Sequence, residues 1–248
     1  MSRRPRGLLI DFSGTIFRLE DRDRWFSTVV ARHGLSVPEP GPTALAAQLE
    51  AGGGRPGGPE PPDVLAGMSP ELRAAWERRD LSSREHRQLY RGLLRIAGLP
   101  WPELADAFYD RAIEPDAWVP YPDTSTLLRE CAGAGVPVAV VSNIGWHPGP
   151  IFARHGLAGT VSAYCLSFEE GRQKPELKMF EVACARIGVT PAEALMIGDS
   201  GASDGAAEAL GIPTLIIPAD PDRRDAARPE LARCATVLTG GRSALDRS

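Results

Sequence analysis

The chain has 248 residues, of which 43% are apolar and 24% are charged, and its formal net charge is −4. This composition is typical of a soluble globular protein, and the length allows one large domain or a core with an insertion. A slight negative charge argues against a nucleic-acid surface, which needs a basic patch. No apolar stretch approaches the roughly 18 residues of a membrane span, so we expect neither nucleic acid nor membrane as a partner.

The cysteines and the N-terminus indicate the cellular compartment. The cysteines are widely spaced and form no Cys-x-x-Cys pair, so we expect reduced, mostly buried thiols: Cys131, Cys165, Cys184 and Cys234. The apolar run Leu8–Ile10 is too short for the core of a signal peptide. The expected location is therefore cytoplasmic.

The first predicted element is a buried strand that ends at Asp11. Its apolar residues Leu8–Ile10 run directly into Asp11-Phe12-Ser13-Gly14-Thr15. A short apolar run bounded by turn residues is typical of a buried strand, and Gly14 allows the chain to turn sharply. Open α/β sheets bind their ligands at the carboxyl ends of strands. A carboxylate at that position can act as a nucleophile or bind a metal.

Residues from about 18 to 118 read as helices joined by loops. Trp25, Phe26, Val29 and Val30 are spaced to cover one helical face. Further helical patterns cover residues 44–49, 70–79, 82–97 and 102–112. The Gly- and Pro-rich segment 51–62 is expected to be a mobile loop beside the active-site entrance, and not a packed element.

From Tyr121 onwards the pattern alternates between helix and strand. Helices are predicted at residues 124–134, 148–155, 176–187 and 203–210. Strands are predicted at residues 136–142, 163–166, 194–197 and 214–217. Alternation of this kind indicates βαβ units with right-handed crossovers and a parallel sheet. The sequence therefore predicts an α/β fold.

Three later segments carry polar residues at the ends of these elements. Ser142-Asn143 ends one predicted strand, and Lys174-Pro175 precedes a predicted helix. Gly198-Asp199 ends another strand, and Asp204 follows near the start of the next helix. Lysine is rare in this chain, since 26 of the 28 basic residues are arginine. Each segment is weak evidence alone, but their order and context are much more specific.

These motifs resemble those of the haloacid dehalogenase superfamily of aspartyl-nucleophile hydrolases. The matched motifs run in the family order: Asp11-Phe12-Ser13-Gly14-Thr15, Ser142-Asn143, Lys174-Pro175, and Gly198-Asp199 with Asp204. The resemblance implies a Rossmann-like three-layer core with a mostly parallel sheet, formed by residues 1–17 and 119–248. It also implies that residues 18–118 form an inserted helical cap domain. Mg²⁺ and an aspartyl-phosphate intermediate are implied as well.

The resemblance assigns the metal ligands residue by residue. Asp11 would be both the nucleophile and a Mg²⁺ ligand, and the backbone carbonyl of Ser13 would be a further ligand. Asp199 would supply the second carboxylate. Asp204 would be either another ligand or an acceptor that holds a water or Lys174.

The remaining matched residues are assigned to the phosphoryl group. The Ser142 hydroxyl would donate a hydrogen bond to a phosphoryl oxygen, with the Asn143 backbone beside it. Lys174 would offset the negative charge of the phosphate and the carboxylates.

Ser13 departs from the family pattern. The family's common phosphatases have an aspartate at this position, which protonates the leaving oxygen and then deprotonates the attacking water. Serine cannot do this by itself, and loss of a general acid/base costs roughly 10²–10⁴ in rate. His33, His86 and His147 are candidates for that role, although packing or surface exposure is the simpler reading of each.

Three branches of the superfamily also lack this aspartate. Phosphonate hydrolases use a cap lysine, and residues 18–118 contain none. Haloacid dehalogenases have tyrosine there and work without metal. P-type transport ATPases have threonine, a hydroxyl like that of Ser13, and a good leaving group.

The leading hypothesis is a Mg²⁺-dependent phosphohydrolase, or a phosphotransferase, acting on a small phosphorylated metabolite as a monomer or homodimer. One alternative is a metal-independent 2-haloacid dehalogenase-like hydrolase. The other is a catalytically weakened family member that binds a phosphometabolite.

Overall fold

The computed structural model describes residues 4–59, 62–219 and 228–240. These residues fall into two compact units, one made of residues up to Arg18 together with those from Pro120 onwards, and the other made of Leu19–Val119. That residues 18–118 act as a cap over the rest of the chain is still a prediction. No helix among the described residues is both long and apolar enough to cross a membrane.

The described strands are short, and most of them belong to one sheet. They are β1 (Gly7–Ile10), β2 (Phe17–Leu19), β3 (Trp118–Pro120), β4 (Val138–Ser142), β5 (Ala163–Leu166), β6 (Ala194–Gly198) and β7 (Thr214–Ile216). The central sheet has the order β5–β4–β1–β6–β7, and each neighbouring pair in it is parallel. The strands β2 and β3 form a separate two-stranded sheet. The predicted α/β fold with a mostly parallel sheet is confirmed.

The central position of β1 follows from its composition. Every residue of β1 is buried, and Leu9 pairs with Ala139 of β4 on one side and Met196 of β6 on the other. Strands of a parallel sheet are covered on both faces, so they read as continuous apolar runs. The carboxyl ends of β4, β1 and β6 consequently meet at one edge of the sheet, which is where their polar residues follow.

The helices alternate with these strands only in the second half of the chain. Those of the helical unit, Leu19–Val119, are α1 (Arg22–His33), α2 (Pro42–Ala51), α3 (Pro62–Gly67), α4 (Pro70–Glu77), α5 (Ser83–Ile96) and α6 (Ala105–Ile113). Those of the sheet-containing unit are α7 (Thr124–Ala134), α8 (Gly149–Arg154), α9 (Ser167–Glu170), α10 (Leu177–Arg186) and α11 (Pro229–Thr239). The helix predicted at 203–210 is a 3₁₀ helix, Asp204–Leu210. Seven residues are too few for the sequence to distinguish the two helix types.

The helical unit has an apolar core of its own. Trp25, Phe26 and Val29 of α1 are buried, as their spacing predicts. The Trp25 ring lies 5.2 Å from that of Phe108, edge to face, a favourable aromatic geometry. The Trp25 indole N–H also donates to the Phe108 carbonyl at 2.9 Å, so this buried donor is satisfied.

The Gly- and Pro-rich segment after α2 forms a loop, as expected, but the expectation that this loop is unpacked is wrong for residues 53–56. Residues 53–56 are buried. A Cβ atom on Gly54 would lie 2.9 Å from the Leu94 side chain, and one on Gly57 would lie 2.7 Å from Trp118. The glycines therefore allow close packing here, which composition alone does not distinguish from mobility. Residues 60 and 61 lie outside the described residues.

Arg55 anchors the same segment from within. Its guanidinium donates to the Glu50 carboxylate at 2.6 Å and to the Glu20 carbonyl at 2.6 Å. A buried charge that is paired and hydrogen-bonded in this way fixes the backbone around it.

The cysteines of the chain are all free and buried. This confirms the expectation from their spacing.

Candidate active site

Asp11 lies at the carboxyl end of β1 and is 5% exposed. Its backbone N–H donates to the Ile197 carbonyl at 2.9 Å, which continues the pairing with β6. The chain then turns back, because the Phe12 carbonyl accepts from the N–H groups of Ile16 and Phe17 at 3.1 and 3.0 Å. Residues 11–17 are thus held by backbone hydrogen bonds, and they are named the nucleophile loop after the role predicted for Asp11.

Gly14 is required in this loop for two reasons. Its φ is 83°, a left-handed conformation that other residues rarely adopt. A Cβ atom at this position would also overlap the carboxylate of Asp199. The glycine therefore allows the loop to approach the end of β6.

The structure brings together the acidic residues that the sequence singles out. Carboxylate oxygens of Asp11, Asp199 and Asp204 all lie within 4.8 Å of one another, and we name these residues the acid cluster. The Lys174 ammonium donates to Asp11 Oδ1 at 2.6 Å and to Asp204 Oδ1 at 2.5 Å. Lys174 therefore bridges two members of the cluster.

Thr15 is a site residue to which the sequence analysis assigned no role. Its hydroxyl lies 3.2 Å from Asp11 Oδ2 and 3.5 Å from Asp199 Oδ1. It can donate to one carboxylate at a time, so it orients the pair. The sequence signal that could have pointed to Thr15 was its position at the end of the matched motif that begins at Asp11.

The cluster holds more negative than positive charge. Three carboxylates surround one ammonium group. Burial raises the pKa of Asp199 to about 7, and repulsion by Asp11 and Asp204 adds to the rise. Burial also raises the pKa of Asp11, although the Lys174 charge opposes this. Burial alone would lower the pKa of Lys174, but the carboxylates outweigh it and raise that pKa. An added cation would relieve the remaining repulsion.

Asp204 is held by hydrogen bonds on both oxygens. Its Oδ2 accepts from the backbone N–H groups of Asp199 and Ser200 at 3.1 and 3.0 Å. Its Oδ1 accepts from Lys174. A Cβ atom at Gly198 would overlap this carboxyl group, so the glycine leaves room for it. Of the two roles open from the sequence, the geometry favours the acceptor that holds Lys174.

Asn143 fixes the backbone of Lys174 through its side chain. Its Oδ1 accepts from the Lys174 N–H at 2.7 Å, and its amide donates to the Lys174 carbonyl at 2.9 Å. Sequence reasoning considered only the Asn143 backbone and missed this reciprocal pair. The pair places the lysine stem so that the ammonium reaches the acid cluster.

Ser142 and Ser13 lie at the same edge of the sheet, and each has an oxygen that no hydrogen bond from the described residues occupies. Ser142 is the buried last residue of β4, and among the described residues its hydroxyl has no hydrogen-bond partner. The backbone hydrogen bonds beside Ser13 use the Gly14 N–H and the Phe12 carbonyl. Among the described residues, no N–H donates to the Ser13 carbonyl. These groups are available to a ligand.

The histidines considered as general acids occupy three different settings. His86 is buried inside the helical unit, where its Nδ1 lies 2.8 Å from the Tyr109 hydroxyl, so it is a packing residue. His33 is exposed at the end of α1. His147 is exposed, accepts the Gly149 N–H at Nδ1 and packs on the Tyr164 ring at 4.6 Å.

Comparison with known sequences gives consistent relatives. The family profile described as haloacid dehalogenase-like hydrolase matches residues 5–211, most of the chain. A ribulose-1,5-bisphosphate 5-phosphatase of Halopiger xanaduensis is 32% identical over 158 residues, covering 60% of this chain and 64% of that protein. A phosphoserine phosphatase of Thermus thermophilus is 33% identical over 107 residues, covering 41% of this chain and 40% of that protein. The chain thus spans less than two thirds of the length of these curated relatives.

Solved structures share the fold at lower identity. A HAD phosphatase from Thermococcus onnurineus has a TM-score of 0.57 and 21% identity, covering 96% of this chain and all (100%) of that one. An L-2-haloacid dehalogenase from Xanthobacter autotrophicus has a TM-score of 0.56 and 20% identity, covering 86% of this chain and 77% of that one. At such identities the likeness establishes the fold alone.

Proposed function

The chain belongs to the haloacid dehalogenase-like hydrolases, and we propose that it is a Mg²⁺-dependent phosphohydrolase. Its substrate would be a small phosphorylated metabolite, hydrolysed through an aspartyl-phosphate intermediate. The observation that carries the proposal is the buried acid cluster bridged by Lys174. Curated relatives that are phosphatases support it.

The donor set fits a hard divalent cation. Mg²⁺ prefers one or two carboxylates, a carbonyl, waters and a substrate phosphate. Asp11 and Asp199 would provide carboxylate oxygens, and Ser13 would provide its carbonyl. Asp204 is engaged with Lys174 and two N–H groups, so it would support the site indirectly. When bound, Mg²⁺ would neutralise charge on the phosphoryl oxygens.

The reaction itself would be performed by residues of the nucleophile loop and their neighbours. The Asp11 carboxylate would attack phosphorus, forming an acyl phosphate while the bond to the leaving oxygen breaks. Water would then cleave the acyl phosphate and regenerate the carboxylate. Lys174 and the Ser142 hydroxyl would stabilise charge on the phosphoryl group during both steps.

Ser13 narrows the substrates that such an enzyme can turn over quickly. A leaving group that is stable as an anion departs without protonation, whereas an alkoxide does not. We therefore expect acyl or aryl phosphates to be better substrates than alkyl phosphates. The alternatives, a metal-independent dehalogenase-like hydrolase and a weakened phosphometabolite binder, predict different metal responses.

Phosphate release from a panel of acyl, aryl and alkyl phosphates tests the proposal. Each substrate is assayed with Mg²⁺ and with excess chelator, and Asp11→Asn serves as the inactive control. The proposal predicts turnover that requires Mg²⁺ and is lost in the variant. Chloride release from 2-chloropropionate in the presence of chelator would favour the dehalogenase alternative. Binding of a phosphate ester without any turnover would favour the weakened binder.

A further inference from the structure

Arg228 is a buried arginine that the function described above does not use. It immediately precedes α11 and lies beyond residues 5–211, which the family profile matches. Its side chain is nevertheless directed at the nucleophile loop, because Nη1 donates to the Thr15 carbonyl at 3.1 Å. The residue as a whole is only 8% exposed.

Two further contacts hold the guanidinium and the backbone of Arg228 in place. The guanidinium carbon lies 3.6 Å from the centroid of the Tyr121 ring, a close cation–π stack. The Arg228 N–H donates to the carboxylate of Asp123, which precedes α7. The arginine is therefore fixed by the start of α7 while it binds the Thr15 carbonyl.

The contact reaches the acid cluster through one residue. The Thr15 hydroxyl contacts the carboxylates of Asp11 and Asp199, as described above. The next carbonyl of the loop, that of Ile16, accepts from the Tyr121 N–H at 3.1 Å and from the Thr124 hydroxyl at 2.8 Å. Two consecutive loop carbonyls are thus held from outside the loop, and Arg228 holds the one that belongs to Thr15.

Burial of a guanidinium is costly unless its interactions compensate for lost hydration. An arginine whose only role was to keep the surface polar would be exposed, like Arg233 on α11, whose side chain is 71% exposed. Arginine combines a planar face for stacking with directional N–H donors, whereas lysine offers only a point charge. Stacking on Tyr121 and donation to Thr15 use both properties.

We propose that Arg228 is a positioning residue that sets the orientation of Thr15 and, through it, of the Asp11 and Asp199 carboxylates. Its kinetic consequence rests on the proposed function, whereas its effect on the loop does not. Without Arg228 the Thr15 carbonyl loses a donor, and the loop gains freedom at the point where the hydroxyl orients the carboxylates. Misplacement of reacting groups by about 1 Å can cost roughly 10²-fold in rate.

Backbone hydrogen exchange of the nucleophile loop tests this without substrate or metal. Arg228→Met is compared with wild type, with Arg228→Lys and with the matched control Arg233→Met. Arg228→Met is expected to speed the exchange of the Gly14, Ile16 and Phe17 amides by about tenfold or more, with partial rescue by Arg228→Lys, because these amides exchange through local opening. Arg233→Met is expected to exchange like wild type.

A second control separates positioning from loss of stability. Leu231→Ala removes a fully buried side chain from the same helix and leaves Arg228 intact. It should lower Tm without faster exchange in the loop. Unchanged exchange in Arg228→Met, or equally fast exchange in Leu231→Ala at the same loss of Tm, would overturn the proposal.

Kinetics then test the consequence for catalysis on an aryl phosphate with Mg²⁺. Arg228→Met is expected to lower kcat by about 10- to 100-fold while KM changes by less than about threefold, since orientation and not binding is lost. A proportionate rise in KM with unchanged kcat would overturn this consequence. An inactive wild type would instead refute the proposed function and leave the exchange experiment decisive for Arg228.

Discussion

Two groups of charged side chains among the described residues differ in the balance of positive and negative charge. In the helical unit, the Glu20 carboxylate accepts hydrogen bonds from Nε and Nη2 of Arg111 at 2.7 and 2.5 Å. Arg111 also donates to Glu114 at 2.6 Å, and Arg32 binds the same carboxylate through two nitrogens. Each carboxylate of this network therefore has a guanidinium partner.

The acid cluster at the end of β1 is unbalanced. Its three carboxylates share one ammonium group, and the pKa of Asp199 is raised by burial and by its acidic neighbours. In the balanced network, burial also raises the pKa of Glu114, but its bonds to Arg32 and Arg111 outweigh this and lower it. Balanced networks are typical of structural roles, whereas uncompensated acids at a sheet edge indicate a site for a cation or substrate.

Asp11→Asn should have the largest effect on activity and a small one on stability. The amide is nearly isosteric but is a poor nucleophile, so we expect kcat to fall by roughly 10³-fold or more. Lys174 keeps its bond to Asp204, and one repulsive charge is removed, so Tm should stay the same or rise. Phosphate release and thermal unfolding measure the two effects. Retention of a tenth of wild-type turnover would remove Asp11 from its role.

Arg111→Met should show the opposite profile, because it unbalances a structural network. It leaves the buried Glu20 with only the exposed Arg24 as a charged partner, at 3.1 Å, and the loss of its bidentate partner is expected to cost up to about 3–5 kcal/mol of unfolding free energy. Urea unfolding measures the loss. The double variant Glu20→Gln with Arg111→Met should recover much of it, because the carboxylate that lost its partner is removed as well and Arg24, which paired with it, is exposed. A loss below about 1 kcal/mol, the range of surface pairs, would contradict the structural reading.

Ser13→Asp should make the site more like those with a general acid. We expect turnover of alkyl phosphates to rise by about tenfold or more, within the roughly 10²–10⁴ that such a group provides. Turnover of aryl phosphates should rise less, because their leaving groups need no proton and only the attack of water on the aspartyl phosphate gains a base. The matched control Ser13→Asn has similar size without an acidic proton. A wild type that already hydrolyses alkyl phosphates as fast as aryl phosphates would show that another group supplies the proton.

His86 should contribute a smaller, pH-dependent effect in the helical unit. Burial lowers its pKa to about 3, and the charges of Arg79 and Arg87 add to this, while Asp80 lies 3.7 Å away. In the unfolded state His86 therefore binds a proton as the pH falls below about 6.5, whereas in the folded state its imidazole stays neutral. The stability that the neutral His86 contributes is fully present above about pH 6.5. It is lost as the pH falls towards 3, by at most about 1.4 kcal/mol per pH unit.

Urea unfolding between pH 7 and 4 tests this contribution. His86→Gln keeps a hydrogen-bonding group near Tyr109 but does not titrate, so its stability should fall less steeply with acid. The exposed His33→Gln serves as control and should follow wild type. Equal slopes for His86→Gln and wild type would contradict the buried, neutral histidine.

The sequence was sufficient to predict the strands of the central parallel sheet, but not their order in it. Strand Ala163–Leu166 and helix Thr124–Ala134 have the predicted bounds, because each is one apolar pattern between turn residues. Strands β2 and β3 were not predicted, since they lie at the two ends of the region that reads as helices joined by loops. Helix α11 was also missed, and the loop residues 53–56 were expected to be unpacked although they are buried.

For the candidate site, the motifs identified residues that the structure brings together, but not all of their contacts. Asp11, Lys174, Asp199 and Asp204 meet as their order along the chain suggested. The bonds from Thr15 and the reciprocal pair of Asn143 with Lys174 depend on side-chain orientation, which spacing does not encode. The contact of Arg228 with Thr15 joins residues 213 positions apart and carries no motif at all.

Calorimetric titration with Mg²⁺ tests most directly whether the unbalanced cluster is a cation site. Wild type and Arg111→Met, in which the balanced network is broken, should both bind Mg²⁺ at a single site. Asp199→Asn, which removes a ligand and one of the repelling charges, should weaken that binding by about tenfold or more, the scale of losing one charged contact. Absence of Mg²⁺ binding to wild type, or equal affinity in Asp199→Asn, would contradict the assignment of the acid cluster as the metal site.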